Sequence, residues 1–175
     1  SLYASLLLTS MGAIAEIIRS ERLDFRYEVV SRGLEHPWGL AFLPDGRMLV
    51  TERPGRLRLI EADGRVQAEP IGGLPPIRQY GQGGLLDVAI HPDYQINGLV
   101  YFSYAERNAR GVGTAVARGR LQGNALQDME VIFRLEPKSN KSLHFGSRLV
   151  FDKQGYLFIT LGDRGQRPRA QDLND

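Results

Sequence analysis

One pattern occurs three times along the chain, and it limits the fold to very few solutions. "PWGLAFLPDGRMLVTERPGRLRLI" begins at Pro37, "LLDVAIHPDYQINGLVYFSYAE" at Leu85 and "SRLVFDKQGYLFITLGDRG" at Ser147. Each is an apolar run, a turn containing aspartate, then a second apolar run. The turn aspartates are Asp45, Asp93 and Asp152, spaced 48 and 59 residues apart. In a "PDG" turn, proline presets φ, aspartate bonds the local backbone and glycine accepts positive φ. Runs such as "RMLVT" and "YLFIT" carry the β-branched and aromatic side chains that suit a pleated sheet. A strand unit repeating every ~40–50 residues has the period of a β-propeller blade.

The expected fold is therefore all-β, with residues 37–60, 85–106 and 147–165 in separate sheets. A β-sandwich also has many short strands and is the competing architecture. The longer second spacing predicts a loop insertion, placed in "ERNARGVGTAV" or "LEPKSNKSLHF". Propellers need roughly four to eight blades to close. Three blades leave an edge and an apolar face, so the chain is expected to be part of a longer protein or to assemble with copies of itself.

The N-terminal stretch "SLYASLLLTSMGAIAE" has no charge before Glu16 and ends its apolar part in Ala13-Ile14-Ala15. It is shorter than the ~20 apolar residues that span a bilayer. It reads as the tail of a secretory signal. The expected division is a leader over 1–22 and a partial propeller over 23–175, in a periplasmic or secreted protein. An amphipathic first helix and a retained lipid-facing anchor are the other readings. No membrane association is expected beyond this segment.

Composition removes several function classes. With no cysteine among 175 residues, disulfides, thiolate metal sites and a cysteine nucleophile are excluded. A formal charge of +2 with scattered arginines gives no electrostatic footprint for nucleic acid. Histidines 36, 91 and 144 lie too far apart for a zinc motif, and no nucleophile elbow or phosphate loop occurs. His36 falls in a blade-opening turn beside Trp38, which reads as a packing residue. His91 in "HPDY" reads as a buttress of its turn.

Two loops carry candidate chemistry. In "QYGQGGLLDV", glycines 81, 83 and 84 flank Gln82, which lets the backbone approach a ligand while the amide faces it. The same residues describe a plain glycine-rich turn. The second loop holds His144, whose imidazole suits proton abstraction near neutral pH. Strands over 149–151 and 156–161 would form a hairpin. Such a hairpin returns the chain to its starting level and can bring Asp163 to His144 as an orienting carboxylate. From these residues alone, a lone loop histidine such as His144 is more often an ordinary surface residue.

The stretches "LEHPWGLAFLPDGRMLVTERPGRL", "GQGGLLDVAIHPDY", "GTAVARGRL" and "HFGSRLVFDKQGYLFITLGDRGQRPRAQDL" together resemble the glucose/sorbosone dehydrogenase family, in its soluble aldose sugar dehydrogenase branch. The resemblance runs from about residue 27 onward. It implies a six-bladed β-propeller, of which this chain supplies about the first three blades. It also implies pyrroloquinoline quinone (PQQ) on the channel axis, with calcium held by ligands beyond residue 175. By the same resemblance His144 takes the proton of an aldose's anomeric hydroxyl, Asp163 is the acidic neighbour, and Gln82 lines the cofactor and substrate site. The substrate would be an aldose oxidised to a lactone, with an unidentified electron acceptor. This segment alone is expected to be inactive. Leu143 stands where relatives often carry Asn or Asp against the sugar. A calcium-dependent lactonase-type propeller and a non-catalytic binding propeller are the alternatives.

Overall fold

The computed structural model describes residues 16–173, so residues 1–15 of the expected leader over 1–22 lie outside the described residues. The described chain begins with a small exposed hairpin, β1 (Glu16–Ile18) against β2 (Phe25–Tyr27). This hairpin straddles the expected boundary at residue 22.

Three antiparallel sheets follow, each built by meandering in sequence order. The first is β3 (Pro37–Phe42), β4 (Met48–Glu52) and β5 (Arg56–Ile60). Beyond β5, residues 66–72 run alongside as an irregular fourth strand, bridged through Ile60↔Val66 and Leu57↔Ile71. The second sheet is β6 (Leu85–Ile90), then a single helical turn α1 (Tyr94–Asn97), then β7 (Leu99–Asn108), β8 (Gly111–Gln122) and β9 (Ala125–Arg134). The third is the pair β10 (Gly146–Phe151) and β11 (Leu157–Leu161), followed by a 3₁₀ turn over Arg167–Gln171. The three repeated segments thus fall in three separate sheets.

These sheets stack face on face. Along β7, Val100, Phe102 and Tyr104 face the first sheet, where they pack with Leu49, Leu57, Leu59 and Ile71. The intervening Tyr101 faces the third sheet and packs with Val116 and Leu149. Period-two alternation therefore buries both faces of the second sheet, one against each neighbour. Three consecutive sheets in one stack are successive blades of a propeller; a two-layer sandwich has no place for the third. The end faces remain apolar and exposed, at Leu40 and Phe42 on β3 and at Val150 and Phe158 on β10 and β11.

The turn aspartates behave as their chemistry requires at two of three sites. Asp45 Oδ1 accepts from the Arg47 N–H at 3.1 Å. Asp152 Oδ1 accepts from Gln154 and Tyr156 at 2.9 and 2.8 Å. Asp93 instead opens α1, and its own N–H donates to His91 Nδ1 at 3.0 Å, so His91 is the buttress of that turn. Trp38 is only partly covered and lies under the Arg148 guanidinium. Of the two places expected for the insertion, "LEPKSNKSLHF" is the loop, with no strand between β9 and β10, whereas "ERNARGVGTAV" is not. These residues extend β7 and β8 into a ten-residue register from Leu99↔Arg120 to Asn108↔Gly111, closed by an Asn108 side chain that accepts from the Arg110 N–H. Valine, threonine and alanine alternate there on a buried ladder, which tertiary stacking favours over a loop.

Buried polar side chains tie one sheet to the next. Thr51 Oγ1 donates to the Leu86 carbonyl at 2.5 Å. Ser103 Oγ donates to the Ser147 carbonyl at 2.7 Å, and Thr114 Oγ1 to the Phe145 carbonyl at 2.8 Å. Asp87, 2% exposed, accepts from Leu149 N–H and Arg148 Nη1, each at 2.8 Å. Asp87→Ala strands a buried backbone N–H, and a lost partner of that kind costs about 1–3 kcal/mol. We expect a loss of about 2 kcal/mol in urea unfolding of the intact protein; a midpoint unchanged from wild type would show that Asp87 ties nothing.

Candidate active site

The site forms where three loops meet at one end of the stack. Its first piece is the turn Tyr80–Gly83. Gly83 N–H donates to the Tyr80 carbonyl at 2.9 Å, with Gly81 at φ +56. The Arg53 guanidinium fixes this turn from the first sheet by donating to the Gly81 carbonyl at 3.0 Å. The Gln82 N–H donates to the Ser142 carbonyl at 2.8 Å, which joins the turn to the second loop.

That second loop carries His144 at φ +56, an uncommon conformation for a residue with a Cβ. Neighbouring bonds hold it there. The His144 N–H donates to Gln82 Oε1 at 2.9 Å. The imidazole Nδ1 lies 2.7 Å from Asp163 Oδ1, at the far end of the β10–β11 hairpin. The hairpin register sets this approach: Gly146 pairs with Leu161, so the residues just outside the pair face each other. Gly162 makes it possible, because a Cβ at that position would overlap the His144 carbonyl.

Asp163 Oδ1 also accepts from the Gly165 N–H at 2.8 Å. The imidazole, and secondarily this N–H, hold the Asp163 carboxyl below the usual aspartate range. The carboxylate is therefore ionised throughout the neutral range and accepts the Nδ1 proton. That tautomer leaves Nε2 with its lone pair on a side chain that is 51% exposed. The arrangement is a positioned proton acceptor with an orienting carboxylate.

All three residues singled out in the sequence, Gln82, His144 and Asp163, thus come together. Two features were not legible there. One is that Gln82 bonds the His144 backbone, a contact spanning 62 residues. The other is Arg164, fully buried beneath the loop with its guanidinium 3.6 Å from the Phe145 ring centroid. An arginine between Asp163 and Gly165 in a turn carries every sign of a solvated side chain. Among the described residues, no group of three or more histidine or acidic side chains is placed to hold a metal ion.

A sequence model of the glucose/sorbosone dehydrogenases matches residues 34–175. The chain belongs to this family. It is 48% identical over 151 residues to the aldose sugar dehydrogenase YliI of Escherichia coli, covering 84% of this chain and 40% of that protein. The crystal structure of the soluble E. coli aldose sugar dehydrogenase in its apo-form superposes with a TM-score of 0.80 at 46% identity, over 85% of this chain and 44% of that one. The PQQ-bound aldose sugar dehydrogenase of Streptomyces coelicolor superposes at 0.72 and 28% identity, over 92% and 45%. The chain thus spans about two fifths of the length of these relatives. Three sheets in that share agree with half of a six-bladed ring.

The chemistry of the donor set suits an acceptor-rich anionic quinone. The Gln82 Oε1 is already engaged by His144, so what the side chain offers a ligand is its Nε2–H donors. Gln82→Ala removes the backbone tie and the amide donors together. We expect a loss of about tenfold in kcat/KM, from one or two hydrogen bonds of ~0.5–1.5 kcal/mol each. Wild-type kinetics at all quinone and sugar concentrations would make Gln82 a turn residue only.

Proposed function

We propose that the protein is a PQQ-dependent dehydrogenase that oxidises aldoses at the anomeric carbon to lactones. The observation that carries this reading is the 2.7 Å bond between His144 Nδ1 and Asp163, which leaves Nε2 as the base. PQQ, when bound, supplies the two-electron acceptor for the hydride leaving the anomeric carbon. His144 does the acid–base part: Nε2 takes the hydroxyl proton as the C1–O bond becomes a carbonyl. Asp163 stabilises the imidazolium so formed, and Gln82 holds the loop and presents its amide to the cofactor side.

Calcium, held by ligands after residue 175, and an as yet unidentified electron acceptor complete this reading. So does a periplasmic or secreted location. Among the described residues, no helix is long and apolar enough to cross a membrane. The residue ahead of the base is Leu143, whose side chain lies against Gly165. We infer a less polar sugar contact there than an Asn or Asp provides.

The test is dye reduction by a panel of aldoses, using the intact protein reconstituted with PQQ and calcium. Reduction with at least one aldose, dependent on quinone, supports the assignment. No reduction with any sugar overturns it, and hydrolysis of lactones without quinone would place the protein among hydrolytic propellers.

A further inference from the structure

Arg164 follows the orienting carboxylate directly, at φ +53. At this turn the two side chains part. Asp163 goes to the half-exposed imidazole, while Arg164 enters the interior with none of its surface exposed. Its Nη2 donates to the Lys141 carbonyl at 2.5 Å and to the Val112 carbonyl at 3.1 Å. Its Cζ lies over the ring of Phe145, a contact that favours a cation. Lys141 and Phe145 bracket His144, and Val112 belongs to β8 of the second sheet. A single guanidinium thus grips both ends of the His144 loop and anchors it to the neighbouring blade.

For stability alone this arginine is a costly choice. Its Nε and Nη1 are buried with no hydrogen-bond partner among the described residues. Burial lowers the guanidinium to about 10, which still leaves it a cation at neutral pH. A desolvated, half-satisfied cation is a cost, and an apolar side chain of similar length commonly serves stability as well or better. What an apolar side chain cannot supply is the pair of carbonyl ties made by one planar group.

We propose that Arg164 is a positioning residue, which sets the loop under His144 so that the imidazole meets Asp163 and points Nε2 at the substrate. The kinetic part of this proposal rests on the dehydrogenase reading above; the geometric part does not.

The decisive measurement is the NMR signal of the hydrogen-bonded imidazole N–H in the intact, ¹⁵N-histidine-labelled protein without cofactor. The chain has three histidines, and the His144 signal is identified by its loss in His144→Ala. In Arg164→Met we expect this signal to vanish or broaden while the unfolding temperature stays at or above that of wild type. Arg164→Lys should lose it too, because its ammonium stops one bond short of the Nη2 position that reaches both carbonyls and has no flat face to lay on the Phe145 ring. If Arg164→Met does not fold, Arg164→Lys decides, since it retains the charge. A signal unchanged in position and width in the folded variant overturns the proposal.

In the quinone-loaded enzyme, Arg164→Met should lower kcat about tenfold or more, with KM for the sugar changed far less, as expected for a misplaced reacting group. The double variant with Asp163→Asn should turn over no more slowly than the slower single variant, since both act through the same imidazole. Effects that multiply would overturn the positioning role. If the wild-type protein oxidises no sugar, the dehydrogenase reading fails, and the imidazole signal still decides the role of Arg164.

Discussion

Under the proposed function, we expect His144→Ala to lower turnover by ~10²–10⁴-fold at saturating sugar and quinone, the usual cost of losing a positioned base. The alanine variant keeps the loop backbone, because the tie to Gln82 uses the main-chain N–H rather than the imidazole. Quinone binding therefore survives, and the loss falls on the chemical step. The pH profile carries a second signature. Asp163 is held below the usual carboxylate range, so it stays ionised as the medium is acidified through mildly acid pH. An acid limb of the wild-type rate in that interval therefore does not come from Asp163, and it should be absent in His144→Ala. A variant within a few-fold of wild-type turnover would return His144 to the status of an ordinary loop residue.

We expect Asp163→Asn to slow turnover by ~10²-fold or more, though less than loss of the base itself. The amide oxygen can still accept from the imidazole or from the Gly165 N–H, so the turn survives. The negative charge that stabilises the imidazolium does not. An amide turned the other way donates to Nδ1 and forces the ring proton onto Nε2, which silences the base. The depressed carboxyl also gives a sign for the pH dependence of the turn. The stabilisation associated with ionised Asp163 is fully present above the ordinary aspartate range and is lost as pH falls through the lower native value. In Asp163→Asn the acid limb of the rate should flatten or move while KM for the sugar changes little. Turnover and pH profile both equal to wild type would show that the 2.7 Å bond has no part in catalysis.

The fold was legible to the extent that it is local. Period-two alternation and aspartate turns mark strands whose partners are their sequence neighbours, and the three sheets are meanders of this kind. The hairpin that carries Asp163 back to His144 belongs to the same class. A short turn over Asp152–Gly155 sets the register, and the register sets which residues meet at the open end. The long β7–β8 hairpin was harder to see. Its glycines and charges read as a loop, and only burial between two sheets makes strands of them.

What remained for the tertiary structure to decide is all long-range. Hydrophobic pattern reports that a strand face is covered but not by which sheet. Hence the clamp of Asp87 on Leu149 and Arg148 and the bond of Gln82 to the His144 backbone have no trace in the sequence. Arg164 is the clearest case. Its neighbours in sequence are polar and turn-forming, which predicts exposure, yet stacking of the third sheet on the second buries it. The sequence by itself determined the strand units, their turns and the residue types able to move a proton. Stacking of the sheets decided which of those residues touch, because contacts across 60 residues depend on packing that no local pattern encodes.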